Sequence, residues 1–167
     1  MTITLHLGVV DLPYATQAPR RVRVTTRRGK KPVASTAPAS GAQTTGDVAE
    51  YLEDKYHVIE TFYELHQQEI ADELAQAMSN SLGNLLMGAP ASSNVLAAAE
   101  GAIDAKFKQF ISGQEMDALG VPGVPTKAAQ KGVNHRLAHP YAKGNPERPS
   151  FRDTGTYQAA FKAWVET

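Results

Sequence analysis

The sequence predicts an α+β fold: a long helix in its N-terminal half, further helices, a small β-sheet and an extended N-terminal arm. Three observations lead there. Residues 2–10 alternate, with Ile3, Leu5, Leu7 and Val9 on one side and Thr4, His6 and Gly8 on the other, the period of a half-buried strand. From Asp47 to about Met87, apolar residues return at steps of three, four and seven, the period of a helix with one buried face. Between these, from about Ala15 to Gln43, the composition turns to Ala, Thr, Ser, Pro and Gly, which bury too little to fold alone.

The strand ends at Asp11-Leu12-Pro13. Arg21-Val22-Arg23-Val24-Thr25 alternates as a short edge strand would, inside an otherwise irregular arm. Asp47 followed by Glu50 reads as a capping box that opens the long helix. Its inward stripe is Val48, Leu52, Ile59, Phe62, His66, Ile70, Leu74, Ala77 and Ser81, and Tyr51, Val58, Tyr63, Leu65, Met78, Leu82, Leu85 and Leu86 are expected to widen it.

Gly88-Ala89-Pro90 stops the pattern, and a second helical stretch is expected from about Asn94 to Leu119, with a break at Gly113. Thr126 is placed to cap a short helix through Leu137, with Val133 and Leu137 inward, and residues 139–149 read as extended. At the end, Tyr157, Phe161 and Trp164 suit a helix by their spacing, while Tyr157, Ala159, Phe161, Ala163 and Val165 alternate. A helical turn passing into a strand satisfies both patterns.

With 167 residues and 42% apolar content, one moderate core is available, so the chain divides into a strand and basic arm over 1–44 and an α+β assembly domain over 45–167. Net charge is zero, which removes any global attraction to nucleic acid or an anionic membrane. The distribution is uneven: Arg20, Arg21, Arg23, Arg27, Arg28, Lys30 and Lys31 make seven of the 17 basic residues. Asp47 to Glu73 holds nine carboxylates against Lys55 alone. The basic strip is suited to docking on an acidic neighbour, the helix after Asp47 in the next copy included, to phosphate contact as DNA passes, or to an uncommitted solvated arm. No secretory signal or membrane span is expected, so the chain reads as soluble, and the absence of cysteine excludes disulfides and thiolate metal sites.

Sites for chemistry are few. Asp153-Thr154-Gly155 matches the loop that supplies each carboxylate of an aspartic-protease pair, but Arg152 precedes it where that chemistry needs apolar strand, and only 12 residues follow. A capped turn, with Asp153 bonding local amides, is the expectation. His57 and His66 are nine residues apart, and His135 and His139 straddle a segment expected to leave the helix before Pro140. With His6 they therefore read as polar core edges and surface histidines rather than metal ligands, and the acidic helix reads as a solvated face rather than an acid and base pair. No catalysis, cofactor or metal is expected.

Gly123-Val124-Pro125-Thr126, Asn134-His135-Arg136-Leu137 and the run from Pro149 to Ala159 through Asp153-Thr154-Gly155 resemble small virion morphogenesis proteins of tailed phages, most of all the head-to-tail joining and tail-completion group. The acidic helix and the following Leu85-Leu86-Met87-Gly88-Ala89-Pro90 are similar to phage structural proteins of this length. The resemblance covers about Thr45 to Thr167. It implies a mixed α/β subunit that forms a neck ring, six-fold favoured and twelve-fold possible, between the portal or connector and the tail tube, with possible DNA in the lumen. It also implies residence in the virion after assembly in the host cytoplasm. The long arm in front departs from the family pattern and suits a minor tail or tail-tip protein too. A nucleic-acid-binding accessory protein using the strip 20–31 is the alternative of another class. Interface candidates are Ile3, Leu5, Leu7, Val9, Arg20, Arg21, Arg23, Arg27, Arg28, Tyr157, Phe161 and Trp164, with the strand augmenting a sheet in an adjacent subunit.

Overall fold

The computed structural model describes residues 4–14, 44–90 and 94–166. Among them are six helices and one two-stranded antiparallel sheet, an α+β arrangement. The order is β1 (Thr4–Val9), α1 (Thr45–Tyr56), α2 (Val58–Leu86), α3 (Ala97–Ser112), α4 (Glu115–Ala118), α5 (Lys127–Gln130), α6 (Thr156–Ala160) and β2 (Phe161–Glu166). Ile3 and the segment Arg21–Thr25 lie outside the described residues.

β1 forms where alternation predicts a strand, and its partner is the far end of its own chain: Leu5 lies opposite Val165, Leu7 opposite Ala163 and Val9 opposite Phe161. One edge of β1 is thus taken by an intrachain partner, and β2 brings Phe161 and Ala163 to the same buried face. Leu5, Leu7 and Val9 pack against that core. On the opposite face the Trp164 ring stacks on His6, centroids 5.3 Å apart.

The helix expected from Asp47 to Met87 is two helices. His57, at φ 51 and ψ 49, turns the chain into the left-handed region between them. Glu53 makes the break tolerable, because its carboxylate accepts the backbone N–H groups of Ile59 at 2.8 Å and Glu60 at 3.0 Å, donors that the first turn of α2 leaves without intrahelical partners. The capping box at the start of α1 is also three residues earlier than the sequence suggests. Thr44 is the cap and accepts the Asp47 N–H at 3.2 Å, while the Asp47 side chain accepts the Thr44 N–H at 2.9 Å.

The core is aromatic. Phe62 on α2 meets Phe107 and Phe110 on α3 and Phe161 on β2, and Phe107 stacks on Phe161 at 3.8 Å. Val58, Ile70, Ile103, Ile111 and Met116 close around them. The inward stripe of α2 is therefore as expected through Ala77, but of the residues expected to widen it only Val58 is buried: Tyr51, Tyr63, Leu65, Met78, Leu82, Leu85 and Leu86 are all exposed. A helix packed on one side buries only about a third of its circumference, and α3 supplies that one side.

α3 and α4 fill the second predicted helical stretch and break at Gly113 as expected. Thr126 caps α5 through the Ala129 N–H, but the helix ends at Gln130 and Leu137 is exposed, because Gly132 at φ 63 reverses the chain. Residues 139–145 form successive turns rather than an extended run. At the C-terminus, α6 passes directly into β2, which accommodates both spacings seen in the sequence.

Candidate functional site

Two regions carry unusual arrangements. The first is a cavity of about 620 Å³ beside α1, walled by Tyr14, Tyr51, Tyr56, Phe151 and Tyr157 with Arg148 and Asp153. It lies where the arm leaves and rejoins the fold. There Pro13 is bridged to Thr44, the Leu12 N–H donates to the Thr45 hydroxyl at 2.7 Å, and that hydroxyl donates to the Val10 carbonyl at 2.6 Å. Thr45 is fully buried by this clasp.

Asp153 sits in this wall, and its geometry differs from the expected local turn. It reaches 18 residues back: Oδ1 accepts the His135 backbone N–H at 2.9 Å, and Oδ2 bonds the His135 Nδ1. His135 Nε2 meets the Tyr141 hydroxyl at 2.9 Å, Arg136 donates to the Thr154 carbonyl, and Gly155 takes φ 81. The order carboxylate, imidazole, hydroxyl is that of a relay that activates a nucleophile. Here its end is a phenol on a loop, with Tyr141 72% exposed, so the arrangement works as a clip that holds the 134–141 loop to the 153–155 turn. No second carboxylate lines the cavity among the described residues, so the proton-sharing pair of an aspartic protease is not assembled there.

Burial raises the Tyr14 phenol above its ordinary value, and the neighbouring Asp153 carboxylate adds to the shift. Tyr157 is raised further, first by burial and then by Glu53 and Tyr14, and its hydroxyl has no hydrogen-bond partner among the described residues. Burial pulls the Arg148 guanidinium below its ordinary value, an effect that Asp153 opposes. All three groups are driven toward their neutral forms by an apolar wall.

The histidines are dispersed. His6 bonds Glu166 at 3.2 Å, His66 bonds Glu115 at 3.0 Å, and His57 lies 2.9 Å from Glu60. Donor atoms of Glu53, His57 and Glu60 fall within 4.8 Å of one another, the spacing of a cation site. Glu53 is already engaged by two amides of α2, so the trio reads as a helix cap.

The second region is the surface of α2. Beyond Ala77 none of its residues is buried, and Leu82, Leu85, Leu86 and Met87 are 60%, 46%, 79% and 90% exposed. Nearer the sheet, a groove of about 510 Å³ separates α2 from β1. No helix among the described residues is long and apolar enough to cross a membrane.

Of the interface candidates, Arg20, Arg21, Arg23, Arg27 and Arg28, like Ile3, lie outside the described residues. Leu5, Leu7 and Val9 are half-buried. Tyr157 and Phe161 are buried in the chain's own core. Trp164 is half-exposed. Sequence reasoning passed over Glu100 and Asp104, which reach from α3 to β2. The signal was present: both fall at helical steps from the apolar Phe107 and Ile111, on a face where a carboxylate needs a partner.

No protein-family model matches the chain, and neither a curated protein nor a solved structure matches it. What fold and surface define is an α+β domain that presents, among the described residues, an exposed apolar helix face and a groove beside it.

Proposed function

We propose that this chain is a structural assembly subunit, a ring-forming neck or tail-completion protein of a tailed phage that joins the head connector to the tail and does its work without catalysis. The observation that carries the assembly reading is the end of α2, where Leu82, Leu85, Leu86 and Met87 stand exposed together. A contiguous apolar surface of this kind marks a place where another molecule packs. The placement in a virion rests on the resemblance of the Asn134–Leu137 and Pro149–Ala159 strings to that group. The basic strip supports docking as well, since α2 has five carboxylates and no lysine or arginine.

Sedimentation of the full chain, alone and mixed with connector or tail-tube protein, tests the proposal. Self-association or incorporation into a ring is expected, and Leu82→Glu with Leu86→Glu should abolish it without lowering the unfolding temperature. A monomer at high concentration that joins no ring overturns it.

The run of seven basic residues favours a second reading, nucleic-acid binding. A salt titration separates the two: neutralising about five phosphates would give a steep logarithmic fall in affinity with salt. Apolar packing at α2 would not.

A further inference from the structure

The two strands differ at their outer edges. The Val10 N–H donates to the Ala160 carbonyl, which sets the hydrogen-bonded pairs of the ladder at even-numbered residues and turns the backbone groups of odd-numbered ones outward. On β2 this outer edge is closed by α3. Asp104 accepts the Ala163 N–H at 2.8 Å and Glu100 accepts the Val165 N–H at 3.1 Å. On β1 the outward N–H and C=O groups of Leu5, Leu7 and Val9 have no partner among the described residues. An edge of this kind is a template for another strand.

The space beside that edge is shaped for one. The groove there is walled by Thr4, Leu5 and Leu7 on the strand and by Tyr63, Ile70 and Leu74 on α2. α3 covers β2, so the groove lies where a third strand would complete the layer above α2. The apolar strip of α2 continues from it through Met78, Leu82 and Leu85 at helical steps, all exposed. Around the strip α2 carries Glu60, Glu64, Glu69, Asp72 and Glu73, with no lysine or arginine.

We propose that the open edge of β1 and the groove beneath it receive the segment Arg21-Val22-Arg23-Val24-Thr25 of a second copy of this chain as a third strand. The inference rests on the assembly reading above. The segment alternates, so Val22 and Val24 face Tyr63, Ile70 and Leu74 while the arginines stay at the rim. Backbone hydrogen bonds to Leu5, Leu7 and Val9 supply the register. The basic run around it is attracted by the acidic helix over a screening length of about 8 Å. A second copy is favoured because the groove lies at the Thr4–Leu7 end of β1. The chain's own arm departs beyond the other end, where the Thr45 clasp and the Pro13–Thr44 bridge hold its root against α1.

Because the chain has no cysteine, placed thiols report this contact directly. The full-length Val24→Cys variant is mixed with a size-tagged Gln67→Cys variant and mildly oxidised. A tagged heterodimer is expected at about ten times the yield of Val24→Cys mixed with Lys143→Cys, the contrast between facing thiols and thiols that meet by collision. Adding Arg21→Glu and Arg23→Glu to the Val24→Cys chain should cut that yield to about a tenth, while circular dichroism stays the same. Equal yields in all pairs overturn the proposal, as does a chain carrying both Val24→Cys and Gln67→Cys that links only within itself. Sedimentation of the same samples keeps the two readings apart. An oligomer with no Val24-to-Gln67 link overturns strand addition and leaves assembly standing, whereas a monomer throughout overturns both.

Discussion

The Asp104 carboxylate on α3 accepts the backbone N–H of Ala163 on β2 at 2.8 Å, and its other oxygen holds the Lys162 ammonium. A helix side chain thus takes the place a neighbouring strand would fill, and Asp104 is buried to do so.

Asp104→Ala leaves the Ala163 amide without a partner in a buried setting and should cost about 1–3 kcal/mol. Asp104→Asn keeps an acceptor there and should cost less. Lys162→Met should cost under about 1 kcal/mol, since the Lys162 side chain is half in water. Urea denaturation of the three variants gives the order; equal losses would mean that the ion pair and not the amide matters.

Two glycines should respond with opposite signs. A Cβ on Gly132, at φ 63, would lie 2.4 Å from the Pro146 carbonyl oxygen, a backbone atom that cannot rotate away. Gly132→Ala should therefore cost about 2–3 kcal/mol. Gly83 lies inside α2 with open space around it, so Gly83→Ala should stabilise by roughly 0.5–1 kcal/mol. Thermal midpoints check both.

Stability should fall in alkali. Tyr157 and Tyr14 hold their protons more tightly when folded than the ordinary phenol at 10.0, so above that pH the unfolded chain ionises first. Their contribution is whole below about pH 10 and is lost as pH rises through the folded values. Urea midpoints at about pH 8 and about pH 10.5 should diverge in the native chain and diverge less in Tyr157→Phe, where Tyr14 alone of the two remains.

Glu53 is a cap, and Glu53→Ala should cost about 1 kcal/mol. Zinc or nickel should leave the unfolding midpoint unmoved. A metal-induced rise that disappears in His57→Asn would instead make Glu53, His57 and Glu60 a cation site.

The sequence made β1, the buried stripe of α2 and the break at Gly113 legible because each is written in local period or backbone preference. It did not reveal the division at His57. That break is held by Glu53 reaching amides six and seven residues on, a contact that no periodicity encodes. The Asp153 clip was missed for the same reason, its partner being 18 residues away. Tyr63, Leu82, Leu85 and Leu86 have the spacing of core residues, and only the placement of α3 against one side of α2 leaves them outside.

By itself, then, the order of residues determined which segments become helix and strand, where most of them stop, and that basic and acidic charge are segregated. Tertiary structure alone decided that residues 4–9 pair with residues 161–166, that Glu100 and Asp104 close one edge of that pair, and that the other edge opens on a groove. The physical reason is range: helical and strand periods are set by neighbours a few positions apart, whereas an edge is open or closed according to groups that only the folded chain brings together.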